Sequence, residues 1–408
     1  MLIIKNAAQI AGTLPEAPSS RQNVGIVKDA SIVVEDESIA WVGPTAHLPP
    51  IAPDAVVIDA SGKTVIPGLV DSHTHLVFAG SREDEFEARL QGWSYQEIAA
   101  KGGGINATVR RVRESSKEEL KELTRNRLRR LLRYGVATVE VKSGYGLTTA
   151  DEVKCLEVIA DLNSEGPWEL VATFLGAHSI PAEYADRRDV YVRIVTDEML
   201  PEIARCRLAH FCDVFCDVGA FSIEETERIL RTARGLGFNL KLHADELSAR
   251  GGAELAARMG AASADHLLCI TETGIDALAE SHTVATLLPG TAFFLGLPYA
   301  PARKLIERGV RVALASDCNP GTCPTENVPL VGAMACTQMK MLPSESLAAL
   351  TVNAAAALGC SGRLGTIDAG KQADLVICNV PDYRQLFYHF GVNHVWRVIK
   401  RGRVVHAS

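Results

Sequence analysis

Long apolar runs are missing from this chain of 408 residues, and their absence excludes several classes of protein. No stretch reaches the roughly 18 consecutive apolar residues that a membrane-spanning helix needs. The first residues, MLIIKNAAQIAGTLPEAP, also lack the pattern of a secretory signal. Positive charge is not in excess, since the formal net charge is −7, which argues against a nucleic-acid or acidic-membrane surface. We therefore expect a cytoplasmic protein without nucleic-acid or membrane partners.

Paired cysteines and nucleotide-binding loops are missing as well. The ten cysteines are scattered without a C-x-x-C pair, so we expect reduced and mostly buried thiols. The G-x-x-x-x-G-K-[ST] pattern of a phosphate-binding loop does not occur. The glycines 102–104 precede a potential helix, which favours either an anion site at the helix N-terminus or a mobile lid.

The two ends of the chain share a strand-rich texture. Residues 1–63 read as short strands with turns, with clear alternation in SIVV and SIAWV, and no helical pattern appears there. The same texture returns after about residue 360 in RLGTIDAG, ADLVICNV and VNHVWRVIKRGRVVH. We predict that residues 1–63 and 360–408 form one small β-sandwich from both ends of the chain.

The middle of the chain, residues 64–359, alternates between apolar strand-like runs and amphipathic helices. Helix signals include a glycine stop at Gly135, an N-cap at Thr148 and an S-x-x-E capping box that begins at Ser222. Eight such β-then-α units predict a parallel sheet closed into a (β/α)₈ barrel, in preference to an open doubly wound sheet. The eight runs are TVIPGLVDSH, VATVEVKSGYG, ELVATFLGAHS, CDVFCDVGAF, NLKLHADE, ASADHLLC, TVATLLPG and VRVALASDCN.

Polar side chains collect at the ends of these runs, where a barrel carries its chemistry. His73 and His75 are one residue apart, so both imidazoles point to the same face of a strand. Five of the eleven histidines fall at predicted strand ends, where chance would scatter them. The polar residues at the strand ends are His73, His75, Lys142, Tyr145, His178, His243, Glu246, His266, Asp317 and Asn319.

The ligand set of a catalytic metal ion can be selected from these residues. His73, His75, His243 and Asp317 supply three nitrogens and one oxygen, which suits a borderline divalent ion such as zinc or iron. Asp317 can both bind the ion and accept a hydrogen bond from its water, whose pKa the ion lowers to about 7. The run CDVFCDVGAF ends without the lysine that would bridge two ions, so we predict a single metal ion.

Four further residues are candidates for proton transfer, binding or a structural role. Glu246 follows His243 in H-A-D-E and can carry a proton to a leaving nitrogen, or it can be a carboxylate at a helix start. His266 can polarise a carbonyl oxygen or orient the attacking hydroxide, and His178 is expected to bind rather than catalyse. Lys142 is interpreted as a structural or substrate-facing cation.

The segments PGLVDSHTHL, HADE and SDCNPGT resemble the amidohydrolase superfamily of metal-dependent barrel hydrolases. The longer segments HTHLVFAGSREDEFEARLQGWSYQEIAAKGGGIN and VEVKSGYGL narrow the resemblance, which spans nearly the whole chain. They are similar to the members that hydrolyse 4-imidazolone-5-propanoate to N-formimidoyl-L-glutamate in histidine degradation. The resemblance implies one zinc or iron ion, a small anionic substrate and the ring-opening hydrolysis of a cyclic amide.

The same resemblance implies a role for each matching residue. Arg82 would pair with the propionate carboxylate, for which a planar guanidinium is well suited. The metal would be held by His73, His75, His243 and Asp317. Asp317, Glu246 and His266 would be catalytic, and the substrate would be bound by Arg82, Tyr145, His178, Glu246, Asn319, Gly321 and Thr322. A homodimer is expected, as for many such barrels.

Two other functions compete with this interpretation. A guanine- or cytosine-type aminohydrolase of the same superfamily would share the H-x-x-E segment and the histidine of the sixth strand. Arg82 argues against it, because a neutral nucleobase does not need a partner for a carboxylate. A non-catalytic barrel scaffold would be expected to lose metal ligands, whereas this chain keeps all four.

Overall fold

The computed structural model describes residues 1–14, 24–93, 97–98 and 101–408. Part of the long segment that carries the family resemblance, residues 94–96 and 99–100, lies outside the described residues. The strands are β1 Leu2–Thr13, β2 Gly25–Glu35, β3 Ser38–Pro44, β4 Val56–Asp59, β5 Thr64–Pro67, β6 Leu69–Asp71, β7 Val136–Lys142, β8 Glu169–Ala177, β9 Phe211–Cys216, β10 Asn239–Ala244, β11 Ser263–His266, β12 Val284–Leu287, β13 Val312–Leu314, β14 Leu375–Cys378, β15 Val395–Lys400 and β16 Arg403–Ala407.

The α-helices of the described residues surround the central strands. They are α1 Glu83–Leu90, α2 Ile105–Glu114, α3 Lys117–Arg133, α4 Thr149–Glu165, α5 Arg188–Ile194, α6 Leu200–Cys206, α7 Ile223–Gly235, α8 Gly252–Arg258, α9 Glu272–Ala279, α10 Pro289–Leu295, α11 Ala302–Glu307, α12 Val328–Gln338, α13 Pro343–Ala349, α14 Val352–Ala357 and α15 Gln385–Tyr388. A π-helical turn at Val195–Met199 joins α5 to α6. None of the helices described is long and apolar enough to cross a membrane.

Strands β6 to β13 form the predicted parallel barrel, in sequence order. Residues of β7, β12 and β13 are buried throughout, as expected for parallel strands that face a core on one side and helices on the other. The two ends of this sheet meet just beyond β6 and β13. There the amide of Asp317 donates to the carbonyl of His73 at 3.0 Å, and the amide of His75 donates to the carbonyl of Cys318 at 3.0 Å. Closure therefore brings the first and last predicted ligands together.

A second sheet combines both ends of the chain. Its strand order is β16-β15-β14-β5-β1-β2-β3, with β4 paired to β1. The run predicted as the first barrel strand is in fact divided at Gly68. Before it, Thr64–Pro67 pairs with β1 and β14 in the second sheet, and after it, Leu69–Asp71 pairs with β7 in the barrel.

Gly68 explains why the chain can change sheets within a few residues. A Cβ at this position would lie 3.1 Å from Cβ of Ala137 and 3.2 Å from Cβ of Asp374, tighter than ordinary van der Waals contact. The amide of Gly68 also donates to the carbonyl of Asp374 at 2.8 Å. The division of the chain at residue 64 remains a prediction, while the strand pairing changes four residues later, after Pro67.

The helix signals read from the sequence are present in the structure. The side chain of Thr148 accepts a hydrogen bond from a backbone amide at the start of α4, as predicted. Ser116, for which no cap was predicted from the sequence, caps α3 in the same way. Ser222 and Glu225 form the predicted capping box at the start of α7. The apolar faces of these helices pack on the barrel strands, so the main core lies between barrel and helices. The residues of the second sheet have a separate smaller core.

Candidate active site

The backbone is strained where the barrel strands end. Asp245, His266 and Asp317 have φ angles of 49°, 78° and 54°. Residues with side chains rarely adopt this left-handed region, and such outliers are concentrated at functional sites because the surrounding structure must hold them there. Asp245 directly follows β10, His266 ends β11, and Asp317 lies three residues after β13, so all three outliers lie at the carboxyl ends of barrel strands.

His73, His75 and Asp317 form the tightest part of the site. Nε2 of His73 lies 3.3 Å from Nε2 of His75. Oδ1 of Asp317 lies 3.5 Å from Nε2 of His73 and 3.4 Å from Nε2 of His75. All three side chains are buried. Burial alone raises the pKa of Asp317, but its hydrogen bond to His75 and the charges of His266 and His75 more than offset this and hold its pKa below the ordinary value.

His243 and His266 complete the ring of nitrogens. The ring of His243 lies 4.5 Å from that of His73 and 5.1 Å from that of His266, centroid to centroid. Donor atoms of His73, His243 and His266 cluster within 4.8 Å of one another, as do those of His73, His75 and Asp317. The structure therefore brings together all four predicted ligands, with His266 beside them.

The donor set fits a divalent metal ion. Among the described residues, the buried Nε2 of His243 has no hydrogen-bond partner, which would be costly unless another group occupies the space it faces. Three imidazoles and one carboxylate are the ligands that zinc and related ions prefer. Burial, with the positive charge of Lys142 as a second cause, lowers the pKa of His73 well below its ordinary value, so this imidazole is neutral and can bind a cation.

The other nitrogens of two of these histidines face carboxylates that sequence reasoning did not assign. Nδ1 of His73 lies 2.6 Å from Oδ2 of Asp265, and Nδ1 of His243 lies 3.0 Å from Oδ2 of Asp213. Carboxylates in this position orient metal-binding histidines and select their tautomer. Their signal was present in the sequence, because a single aspartate interrupts each of the apolar runs CDVFC and ASADH.

Two fully buried lysines, Lys142 and Lys241, lie beside the predicted ligands. Nζ of Lys142 donates to Oε1 of Glu140 at 2.6 Å and to Oδ2 of Asp213 at 2.8 Å. Nζ of Lys241 donates to the carbonyl of Ser72 at 2.7 Å. Burial lowers the pKa of Lys142, but the charges of Asp213 and Glu140 outweigh this and raise it above its ordinary value. Lys142 is thus a charged core residue, the structural alternative of the two considered for it.

Glu246 is a buried carboxyl group beside His266. Its Oε1 is 3.5 Å from Nδ1 of His266, and the side chain is buried. Burial, together with the negative charges of Asp317 and Asp217, raises the pKa of Glu246 well above its ordinary value. A carboxyl group whose pKa is raised in this way is better suited to donate a proton than an ordinary glutamate. Asp245, the preceding residue, holds this loop through hydrogen bonds from the amides of residues 250–253.

Tyr145 and His178 form one wall of the site. The ring of His178 stacks on His75 with centroids 5.0 Å apart, and Tyr145 lies 5.3 Å from His178. Nδ1 of His178 is 3.0 Å from the carbonyl of Gly144. Glu152, which sequence reasoning missed, holds this loop, because its carboxylate accepts hydrogen bonds from the amides of residues 144, 146 and 147.

Arg82 lies at the mouth of the site, immediately before α1. Its Nε and Nη2 donate to Oγ1 of Thr108 at 2.9 and 2.8 Å. A Cβ placed on Gly321 would collide with Nη1 of Arg82 in this conformation, so the glycine leaves room for the guanidinium beside this loop. Arg89, a second arginine that sequence reasoning missed, donates from Nη2 to the carbonyl of Gly321 at 3.3 Å.

The residues Asn319, Gly321 and Thr322 are bonded mainly to one another. Oδ1 of Asn319 accepts hydrogen bonds from the amides of Gly321 and Thr322, both at 2.8 Å. Its Nδ2 donates to the carbonyl of Asp317 at 2.7 Å. In this conformation these donors shape the loop beside Arg82 rather than pointing to open space. Their contact with a substrate remains a prediction.

The backbone amide at the start of α2, in the glycine segment, already has a hydrogen-bond acceptor. The amide of Gly104 donates to Oε1 of Glu85 at 2.8 Å, so a carboxylate of the chain already takes this helix terminus. Cys318 and Cys323 are buried, and burial raises the pKa of both thiols well above its ordinary value.

The residues of the barrel also match the model of a known protein family. The model described as "Amidohydrolase family" matches residues 64–405, which include the whole barrel. The chain therefore belongs to the amidohydrolase family.

Curated relatives define the branch of that family. An imidazolonepropionase of Geobacillus sp. (strain WCH70) is 49% identical over 99% of this chain and 97% of its own length. An imidazolonepropionase of Porphyromonas gingivalis (strain ATCC BAA-308 / W83) is 48% identical over 100% of this chain and 98% of its own length. At this identity and coverage, the branch to which the chain belongs is that of the imidazolonepropionases.

Solved structures share the fold at much lower sequence identity. Guanine deaminase of E. coli superposes with a TM-score of 0.75 at 15% identity, over 100% of both chains. An adenosine deaminase from Xanthomonas campestris with bound zinc superposes with a TM-score of 0.74 at 20% identity, over 99% of this chain and 92% of its own. These likenesses confirm the predicted barrel with its additional sheet, and they concern the fold alone.

Proposed function

We propose that this protein hydrolyses 4-imidazolone-5-propanoate to N-formimidoyl-L-glutamate. The observation that carries the proposal is the combination of a buried three-histidine, one-aspartate cluster with Arg82 at its mouth. The cluster supports hydrolysis assisted by a metal ion, and the arginine supports a substrate that bears a carboxylate. The curated imidazolonepropionase relatives, at nearly half identity over the full length, support the same reaction.

We assign His73, His75, His243 and Asp317 as ligands of one divalent ion, zinc or iron, since both accept three imidazoles and a carboxylate. Such an ion makes water a nucleophile at neutral pH and withdraws electrons from a carbonyl oxygen. Asp265 and Asp213 keep the nitrogens of His73 and His243 directed toward that position. Buried thiols and the remaining carboxylates are not needed as ligands.

The chain's own residues provide the proton transfers. Asp317, held ionised, accepts a proton from the water that attacks the ring carbonyl carbon. His266 donates a hydrogen bond to the oxygen on which negative charge develops. Glu246, held protonated by burial, delivers a proton to the ring nitrogen as the carbon–nitrogen bond breaks. One water is consumed, and the carbonyl carbon becomes the new carboxylate of the product.

Binding and release depend on the mouth of the barrel. Arg82 forms a bidentate ion pair with the propionate carboxylate after exchanging its bonds to Thr108. Tyr145 and His178 pack against the ring. The hydroxyl of Tyr145 donates a hydrogen bond to it, and Nε2 of His178 accepts one, because Nδ1 of His178 already donates to the carbonyl of Gly144. The loop of Asn319, Gly321 and Thr322 contacts the carboxylate from the other side of Arg82. We further propose a cytoplasmic homodimer, in which each barrel contains a complete site.

The test combines an anaerobic assay with one variant. The wild-type protein should remove the absorbance of 4-imidazolone-5-propanoate, and metal analysis of the same sample should find about one divalent ion per chain. Arg82→Met should raise KM about 10- to 100-fold with a smaller change in kcat, because a charge-assisted pair contributes about 1.5–3 kcal/mol. A matched control is Arg110→Met, since Arg110 is an exposed arginine whose Nη2 donates to the carbonyl of Gly102.

Four results would contradict the proposal or one of its parts. Wild-type protein that leaves the absorbance unchanged would remove this substrate while keeping the hydrolase class. Ammonia release from guanine or cytosine would favour the aminohydrolase instead. A metal-free protein that folds normally and turns over none of these compounds would support a barrel used only as a scaffold. An unchanged KM in Arg82→Met would remove Arg82 from substrate binding.

A further inference from the structure

Lys142 is a charged residue in a place where charge is expensive. It ends β7 and its side chain has no solvent exposure. Taking an ammonium out of water costs several kcal/mol unless close partners compensate. Its two close partners, Glu140 Oε1 at 2.6 Å and Asp213 Oδ2 at 2.8 Å, are equally buried. Apolar side chains could fill this part of the core without the free-energy penalty of burying charges. Lys142 is therefore expected to have a role other than stabilising the fold.

One of the two partners of Lys142, Asp213, contacts the predicted metal ligand His243. Asp213 contacts His243 with both carboxylate oxygens. Oδ2 lies 3.0 Å from Nδ1 of the ring, and Oδ1 accepts a hydrogen bond from the backbone amide at 3.1 Å. The ring and the backbone of His243 are thus held by one carboxylate. The orientation of that carboxylate is set in turn by Lys142.

The other partner of Lys142, Glu140, is hydrogen-bonded to the segment that carries His73 and His75. Thr74 lies between His73 and His75. Its amide donates to Oε2 of Glu140 at 3.4 Å, and its hydroxyl donates to the carbonyl of Glu140 at 2.6 Å. The amide of Lys142 itself donates to the carbonyl of Thr74 at 3.0 Å. The segment that carries both histidines is therefore attached to the strand that ends in Lys142.

We propose that Lys142 is a positioning residue of the metal centre, because its ammonium joins the carboxylate that holds His243 to the carboxylate that holds the His73–His75 segment. The inference rests on the metal site of the proposed function. Lys142 does not contact the ion or the substrate. It keeps two separate ligand-bearing segments at the mutual distance that one ion requires.

The direction in which zinc affinity changes when Lys142 is replaced distinguishes a positioning role from a purely electrostatic one. Removing a positive charge near a cation site should tighten the binding of a cation, if charge alone matters. Loss of positioning should weaken it, because groups that orient metal ligands typically contribute 10- to 100-fold in affinity. We expect Lys142→Met to weaken zinc binding about 10- to 100-fold in competition with a chromophoric chelator.

Lys241→Met is the matched control. Lys241 is equally buried and lies in the same core, but its short hydrogen bond goes to the carbonyl of Ser72 at 2.7 Å. Its contacts to Glu140 and Asp265 are longer, at 3.5 and 3.7 Å. This variant removes the same charge without removing the connection through Asp213. We expect its zinc affinity to equal or exceed that of the wild type.

A second variant and a second signal cover the case in which Lys142→Met does not fold. Lys142→Gln keeps a hydrogen-bond donor without the charge, and its zinc affinity should fall between those of wild type and Lys142→Met. Cobalt loaded in place of zinc should show an altered visible absorption in both variants, which a purely structural role would not cause. The folding of each variant is checked by circular dichroism without metal.

Each outcome decides the question. Wild-type protein that binds no zinc or cobalt would overturn the metal site of the proposed function and this inference with it. Wild-type binding together with unchanged or tighter binding by Lys142→Met and Lys142→Gln would overturn only the positioning role. Equal weakening by Lys241→Met would also overturn it, because the effect would then belong to any change in this core. Weakening confined to the Lys142 variants supports the inference.

Discussion

The loop that carries Tyr145 depends on one buried carboxylate, and its removal can be predicted quantitatively. Glu152 accepts hydrogen bonds from the amides of Gly144, Gly146 and Leu147 at distances from 2.8 to 3.2 Å. In Glu152→Ala these buried amides lose their acceptor. A buried donor left unsatisfied costs about 1–3 kcal/mol. Three such donors at the lower end of that range amount to a loss of about 3 kcal/mol in the local stability of the loop.

Hydrogen exchange measures this loss directly. A local destabilisation of about 3 kcal/mol raises the population of the open loop roughly 100-fold. Exchange of the amides of residues 144–147, followed by mass spectrometry, should accelerate by about that factor. Tyr145 and His178 lose their positions with the loop, since His178 is bonded to the carbonyl of Gly144. We therefore also expect kcat/KM for the proposed substrate to fall by on the order of tenfold or more.

Two variants control for general damage. Glu152→Gln keeps one acceptor oxygen, so both effects should be smaller than in Glu152→Ala. Glu157→Ala lies on the same helix but removes only a surface ion pair with Lys117 at 3.1 Å, which contributes about 0–1 kcal/mol. Exchange of residues 144–147 at the wild-type rate in Glu152→Ala would refute the reasoning.

Two further predictions concern single carboxylates. Glu246→Gln should lower kcat about 100-fold or more with an unchanged circular dichroism spectrum, because a carboxamide cannot deliver the proton; wild-type turnover would remove Glu246 from the chemistry. The pKa of Glu169 is lowered, whereas that of Glu246 is raised. Burial alone would raise the pKa of Glu169, but the hydrogen bond from Arg363 and the charge of Lys400 more than offset this and hold it at about 2. Because the pKa of Glu169 is lower in the folded than in the unfolded protein, its ionised form stabilises the fold above about pH 4.5. This contribution is about 2 kcal/mol after allowance for solvent screening. It is lost as the pH falls toward 2. Urea titrations from pH 6 to pH 3 should therefore show a shallower loss of stability in Glu169→Gln than in wild type, and parallel curves would contradict this.

Much of the architecture could be predicted because it depends on local signals. Capping residues such as Thr148 and Ser222 satisfy backbone amides within their own helix, so their effect is visible in a few neighbouring letters. The ligand cluster could be predicted because parallel strands end at one edge, so that histidines far apart in sequence must meet. The change of sheets at Gly68 could not, since it depends on contacts with Ala137 and Asp374 that no local pattern contains.

The support behind the ligands was harder to predict. Glu140, Asp213 and Lys241 are charged residues inside apolar strands. Asp213 and Lys241 have their close partners on other segments of the chain, and Glu140 pairs with Lys142 of its own strand and also contacts Lys241 of another strand. A sequence shows that such residues are unusual but not which of them pair. Arg89 was missed for a similar reason, because on the exposed helix α1 an arginine near the site looks like any solvated one.

The sheet built from both ends of the chain has a consequence for biosynthesis. Strand β5 needs β14 as its second neighbour, and Leu375 follows Pro67 by about 300 residues. At a translation rate of about 5–20 residues per second, the ribosome needs roughly a quarter of a minute to one minute to synthesise that interval. During this time the nascent chain presents an unpaired edge of apolar residues, a known starting point for association between chains. Chaperone binding to ribosome-bound chains should therefore continue until β14 emerges.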